Sequence, residues 1–180
     1  MHSIDVFVQN YFSLIRTPLN TELIYLVTIM FDFSFHFVLL VGAFALLILL
    51  FRNYHYSFLF LFSIILGGIS VYFLKIFFNV NRPVDGVMMV FGKSFPSGHA
   101  TVATIFFIML GYIWSDLMER RLAIIFRIMC GLFIFLVAFS RVYLGVHWVS
   151  DVAFGILLGV AVSFFSIWLF KFFPYQQRTL

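Results

Sequence analysis

The sequence predicts an all-α membrane protein, a polytopic bundle of five transmembrane helices preceded by an N-terminal interfacial helical segment. Three observations carry that reading. Hydrophobic residues make up 64% of the 180-residue chain and the mean hydropathy is +1.12, too apolar for a soluble domain of this size. Charged residues amount to only 10%, and they gather between long apolar stretches or at their ends. The stretches themselves approach the length of roughly 20 residues that a helix needs to cross a bilayer.

Residues 1–33 contain Asp5, Gln9, Asn10, Arg16, Pro18, Asn20, Glu22 and Asp32, which interrupt any run of about 20 apolar residues, so no span is assigned there. Ile4, Phe7, Val8, Tyr11 and Phe12 recur at helical spacing opposite Asp5, Gln9 and Asn10, the pattern of an amphipathic helix lying in the interface. Asn20-Thr21 offers a cap for a second short helix through Glu22 to about Phe31, which leaves a sixth span open.

Residues 34–51 are almost wholly apolar, and eighteen residues at 1.5 Å each give roughly 27 Å, close to one hydrocarbon core. The second span, 56–78, contains Gly67-Gly68 and Ser70, small residues that let a neighbouring helix approach. A polar break over 79–98 follows. The third span covers 99–115, a charged turn 116–121, the fourth span 122–140, and after a short turn containing Gly145 the fifth covers 147–173. Three regions result: an interfacial segment 1–33, a helix bundle 34–173 and a cytoplasmic tail 174–180.

The net charge of +4 comes with no basic run longer than Arg120-Arg121, which excludes nucleic acid as a partner. One cysteine, Cys130, in an apolar stretch, excludes an intramolecular disulfide and a cysteine metal cage. The first residues lack the basic start and small-residue cleavage site of a signal peptide, so insertion is expected to rely on the spans. Arg52, Arg120, Arg121, Lys171 and Arg178 fall on one side of the bundle, with Arg127 about one and a half turns inside it, and by the positive-inside rule that side is cytoplasmic.

Three polar islands then share the opposite, outer face: Lys75-(six residues)-Arg82-Pro83, Pro96-Ser97-Gly98-His99, and Ser140-Arg141-(five residues)-His147-(three residues)-Asp151. Three cations near a bilayer, Lys75, Arg82 and Arg141, call for an anion of comparable charge, and a phosphate monoester or diphosphate fits. Pro96-Ser97-Gly98-His99 reads as a helix start, with Ser97 placed to cap and the next backbone N–H groups aimed at an anion. If His147 begins a helix, Asp151 shares its face, holds one imidazole nitrogen and leaves the other free.

Together these islands resemble the three-part signature of the type 2 phosphatidic acid phosphatase superfamily. That family includes lipid phosphate phosphatases, glucose 6-phosphatase, bacterial non-specific acid phosphatases and vanadium haloperoxidases. Every motif residue is present, over residues 75–151; the N-terminal third is less similar, since many bacterial membrane members begin with a full transmembrane helix. The resemblance implies that His147 attacks phosphorus to form a phosphohistidine, that Asp151 orients it, and that His99 protonates the leaving alkoxide and later activates water. Lys75, Arg82, Ser97, Gly98 and Arg141 would hold the equatorial oxygens. No metal or other cofactor is implied, because the cations supply the charge.

The expected protein is therefore a metal-independent lipid phosphatase of a bacterial inner membrane, its site facing the periplasm or cell exterior. Its substrate would be undecaprenyl diphosphate, phosphatidylglycerol phosphate, phosphatidic acid or the 1-phosphate of lipid A. A lipid phosphotransferase would use the same pocket. An anion channel or transporter is opposed by the lack of charge in the cytoplasmic half of each span. Asp32 and His36, four apart, read as an interfacial hydrogen-bond pair, Asp85 and Lys93 as loop charges near the headgroup, and Gly155-(three residues)-Gly159 as a packing groove. The orientation predicts that a thiol introduced by Val87→Cys reacts with an impermeant reagent from outside; labelling only from the cytoplasmic side would reverse the topology.

Overall fold

Backbone groups in hydrocarbon find no water, so each apolar segment satisfies its own as a helix. The computed structural model describes residues 2–29, 35–88 and 90–172. Its order is α1 (His2–Ile15), α2 (Pro18–Ile29), α3 (Phe35–Phe51), α4 (Tyr54–Phe78), α5 (Gly98–Trp114), a single 3₁₀ turn (Ser115–Leu117), α6 (Arg120–Tyr143) and α7 (Val149–Phe172). Four helical segments, α4, α5 with its 3₁₀ turn, α6 and α7, are long and apolar enough to cross a membrane, and α3 is a shorter apolar helix. The twelve residues of α2 reach only about 18 Å, too short to cross by themselves.

Helix boundaries follow local chemistry. Thr17 Oγ1 accepts from the Asn20 N–H at 3.3 Å and Pro18 takes the first helical position, so α2 starts two residues before the expected Asn20-Thr21 cap. Asn53 caps α4 through the Tyr56 N–H at 3.0 Å, and Asn79, at φ +50°, closes it in the left-handed conformation. α6 begins at Arg120 and runs through Arg141 to Tyr143, longer at both ends than the expected 122–140. The apolar run marked only the part inside the hydrocarbon, whereas the helix continues as far as its backbone bonds do.

α5 is the axis of the bundle, packed against α4, α6 and α7, with Val102, Ile105, Phe106, Met109 and Ile113 almost fully buried. Small residues set how closely the neighbours come. A Cβ at Gly159 would stand 2.7 Å from the Thr101 carbonyl oxygen, and one at Gly155 would stand 2.8 Å from that of Ser97. The expected groove on α7 therefore receives the first two turns of α5. Gly67 receives the Ile105 side chain, while Gly68 meets nothing. At the end of the bundle away from the three motifs Arg127 donates to Ser115 Oγ at 2.7 Å and Arg52 pairs with Asp116 at 3.9 Å.

α1 corrects the reading of an amphipathic helix simply lying in the interface, because two of the three polar residues opposite its apolar stripe turn into the protein while Asn10 stays exposed. Asp5 and Gln9 are buried, at 6% and 4% exposure, whereas Ile4 and Phe7 are 66% and 71% exposed. The reason is a partner within the protein: Asp5 accepts from the Ser150 N–H at 2.9 Å and the Ser150 hydroxyl at 2.8 Å. Phe12, on the same inward face, sits edge-on to Phe139 and Tyr143, each 5.6 Å away. Past the helix end Arg16 donates to the carbonyls of Tyr143 at 2.7 Å and Asp85 at 2.8 Å. α1 is thus tied across the end of α6 and the start of α7. Asp32, the His36 side chain and residues 174–180 lie outside the described residues.

Ser150 is the second residue of α7, so Asp5 does for that helix what a capping side chain ordinarily does. Asp5→Ala is expected to cost about 1–2 kcal/mol, read as a lower unfolding temperature in detergent. An unchanged unfolding temperature would show that the docking of α1 adds nothing.

Candidate active site

The turn between α6 and α7 is where the chemistry concentrates. α6 ends at Tyr143, Gly145 adopts φ +70°, and the Val146 N–H bonds back to the Arg141 carbonyl at 3.2 Å. This fold-back places His147 before α7 and not on it, because α7 starts at Val149. Asp151 still meets His147, but by another geometry than a shared helical face. As the third residue of α7 it reaches back, and its Oδ2 accepts the Trp148 N–H at 2.9 Å, the reciprocal half of a capping box. The same oxygen stands 3.5 Å from His147 Nδ1.

Motif by motif, the predicted residues converge on this turn. Ser97 is the N-cap of α5, its hydroxyl accepting from the Ala100 N–H at 3.5 Å, with Gly98 and His99 opening the helix. Its own N–H donates to the Asp151 carbonyl at 3.1 Å, a backbone contact that the absence of a Cβ at Gly155 makes room for. Arg82 lies in the loop after α4 and donates to the Gly92 carbonyl at 3.0 Å and the Val146 carbonyl at 2.7 Å. Its Nη1 is also 3.1 Å from His147 Nε2. Lys75, one turn from the end of α4, donates to the Lys93 carbonyl at 2.5 Å. Arg141, His147, Asp151, Ser97 and His99 are all buried.

Arginine only donates, so His147 Nε2 must accept from Arg82, which puts the imidazole proton on Nδ1. Burial first, then the cations Arg82, Arg141 and Lys75, then His99, hold the His147 pKa well below 6.5. At neutral pH the imidazole is uncharged and its Nε2 lone pair faces the arginine side of the site.

A cavity of about 640 Å³ opens beside these groups, lined by Phe78, Asn81, Arg82, Phe95, Trp148 and Asp151 among others. Its wall is an aromatic run, Phe78 against Phe95 at 4.9 Å and Phe95 against Phe154 at 4.7 Å. Around it the loop after α4 exposes Val84 and Phe91 almost completely. Among the described residues no three histidine, cysteine or carboxylate side chains group so as to hold a metal ion.

Several functional neighbours escape sequence reasoning. Ser94 is fully buried, its hydroxyl donating to Asp151 Oδ2 and lying 3.3 Å from His147 Nδ1. Asn81 receives Trp148 Nε1 on its carbonyl at 2.9 Å and Lys93 Nζ on its side chain at 3.0 Å, which makes Lys93 a strut of the loop. Asp85, the other loop charge, is exposed and contributes its carbonyl to Arg16. A lone serine or asparagine in a loop carries no spacing signal. Ser94 becomes visible only when the fold brings it to Asp151.

The fold has counterparts among solved structures. A crystal structure of a transmembrane PAP2-type phosphatidylglycerolphosphate phosphatase from Bacillus subtilis superposes with a TM-score of 0.88 at 25% identity, covering 98% of this chain and 89% of that one. The crystal structure of Aquifex aeolicus LpxE superposes with a TM-score of 0.73 at 23% identity, covering 90% of this chain and 93% of that one. Residues 56–175, which hold all three motifs and well over half of the chain, match the model of the PAP2 superfamily. With that match added to the helical fold and the convergence of the three motifs on one turn, the chain belongs to the PAP2 superfamily and is a membrane lipid phosphatase.

Proposed function

We propose that the chain hydrolyses the phosphate headgroup of a membrane lipid by way of a phosphohistidine on His147, without a metal ion, at the outer face of a bacterial inner membrane. The observation that carries this reading is the placement of His147 Nε2: buried, and 3.1 Å from an Arg82 guanidinium that can only donate to it. A phosphate that takes over the Arg82 Nη1 donor frees the Nε2 lone pair for in-line attack on phosphorus. The N–P bond forms as the P–O bond to the leaving group breaks, and His99 gives the departing oxygen a proton. Water, deprotonated by His99, then cleaves the N–P bond and releases phosphate. Arg82, Arg141 and Lys75 stay in place throughout, so the charge on the equatorial oxygens meets cations already positioned.

The surroundings favour a lipid over a soluble ester. Exposed Phe77, Val84 and Phe91 and the aromatic wall of Phe78 and Phe95 put apolar surface beside the cationic pocket. Beneath the site the buried side chains of α5 from Val102 to Ile113 carry no charge, which argues against a channel. Among candidate headgroups we favour phosphatidylglycerol phosphate, a phosphate monoester, since the similar structure that aligns over nearly the whole chain is a phosphatase of that lipid.

Phosphate release by purified protein across a panel of lipid phosphates tests this directly. Turnover is expected to survive EDTA and to fall roughly 10³-fold or more in His147→Ala with expression unchanged; retention of more than a few per cent would remove His147 as nucleophile. Acid protonates Nε2 and abolishes attack, and burial among cations opposes that protonation. The acid limb of kcat/KM should accordingly have its midpoint well below 6.5, and a midpoint at or above that value would contradict the buried neutral imidazole.

A further inference from the structure

Ser94 stands outside the signature residues, yet its hydroxyl touches both Asp151 and His147. It follows Lys93, whose carbonyl is held by Lys75 Nζ at 2.5 Å, and its own carbonyl is 3.4 Å from the same ammonium. Its N–H donates to the Val80 carbonyl at 2.8 Å. Both ends of the residue are thus fixed to the end of α4, and its side chain is fully buried. The hydroxyl donates to Asp151 Oδ2, the oxygen that also accepts the Trp148 N–H at 2.9 Å. His147 Nδ1 lies 3.3 Å from Ser94 Oγ and 3.5 Å from Asp151 Oδ2, both longer than an ordinary N–H···O bond, with the serine the nearer of the two.

The donors and acceptors along this line can be put in order. Arg82 can only donate, so Nε2 accepts and the histidine proton is on Nδ1. Nδ1–H needs an acceptor, and the Ser94 oxygen offers a lone pair because its own proton is committed to the carboxylate. The order is Arg82 to His147 to Ser94 to Asp151, every donor pointing away from the guanidinium and toward the carboxylate. We infer that Ser94 is a positioning residue of this phosphatase, which transmits the Asp151 carboxylate to His147 Nδ1 and fixes the tautomer that presents Nε2 to phosphorus. Ser94 neither gains nor loses a proton in the reaction. When Nε2 bonds to phosphorus and the ring becomes cationic, the Nδ1–H···Oγ–H···Oδ2 chain shortens and carries part of the carboxylate's charge to the ring. Lys75 acquires a second task, since it holds the peptide on which Ser94 stands.

The inference rests on the reading of His147 as nucleophile, and the two fail separately. Ser94→Ala, Ser94→Thr and His147→Ala would be compared in kcat, KM, unfolding temperature and ¹⁵N-histidine NMR, the His147 signal being the one missing from His147→Ala. Wild type should show Nδ1 protonated and Nε2 bare at neutral pH. Ser94→Ala should lower kcat by about 10- to 100-fold with KM within about twofold, and should show His147 as a mixture of tautomers. Ser94→Thr, which keeps the hydroxyl, should restore the single tautomer and most of the rate. If Ser94→Ala unfolds, Ser94→Cys, close in size but a much weaker hydrogen-bonding group, is expected to show the same loss. A Ser94→Ala enzyme with more than half the wild-type kcat, or one that slows while the tautomer stays unchanged, would overturn the relay. Activity in His147→Ala would instead overturn the nucleophile itself.

Discussion

The site depends on one carboxylate doing two jobs at a helix start. Asp151 satisfies the Trp148 N–H and so fixes the turn that carries His147, and through Ser94 and the facing edge of the imidazole it also supplies that turn with negative charge. α7 begins with tryptophan at its cap, a residue with no oxygen to offer the orphan N–H groups. Two acidic residues take the place of the missing cap: Asp151 from within the helix and Asp5 from α1. Capping and chemistry therefore share atoms. A change that loosens the helix start also turns the imidazole, so stability and activity should move together at Asp151, though not at surface positions of the same helix.

Three cations at the edge of a hydrocarbon layer are costly unless each is bound to something, and the loop after α4 is built to meet that cost. Its carbonyls at Gly92, Lys93 and Ser94, with Val146 from the α6–α7 turn, solvate Arg82 and Lys75. Backbone carbonyls stabilise a cation without neutralising it, so the pocket keeps its net positive field for an anion. A carboxylate partner for each cation would have held the side chains equally well and cancelled the field. Asp151 lies on the Nδ1 side of His147, away from the Arg82 guanidinium, and Asp5 is held by Ser150.

Much of this was legible in the sequence because period and spacing survive in a single chain. Five apolar helices, their order, and the placing of Lys75, Arg82, Ser97, His99, Arg141, His147 and Asp151 at one end follow from hydropathy and motif spacing alone. What was not legible depends on contacts between segments distant in sequence. The inward face of α1 reads as a water-facing stripe until Ser150, far along the chain, is brought against Asp5. His147 reads as the first residue of a helix because the spacing to Asp151 suits one, but Gly145 turns the chain and the helix starts two residues later. Ser94 has no periodicity at all, and only the folded loop shows what its hydroxyl touches.

The N-terminal helices lie outside the segment that matches the family model, residues 56–175, yet they complete its site. Asp5 holds the first turn of α7, Arg16 ties the Tyr143 carbonyl to the Asp85 carbonyl, and Phe12 packs on Tyr143, all within a few residues of Arg141 and His147. Motif residues can be shared by proteins with quite different N-terminal segments because a motif fixes residue types at a few positions and not the packing around them. The rigidity that keeps those groups within the narrow geometry catalysis tolerates must come from elsewhere in each chain. Here it comes from a helix that turns its polar side inward, so the structural unit that makes the site work extends further than the unit that sequence similarity delimits.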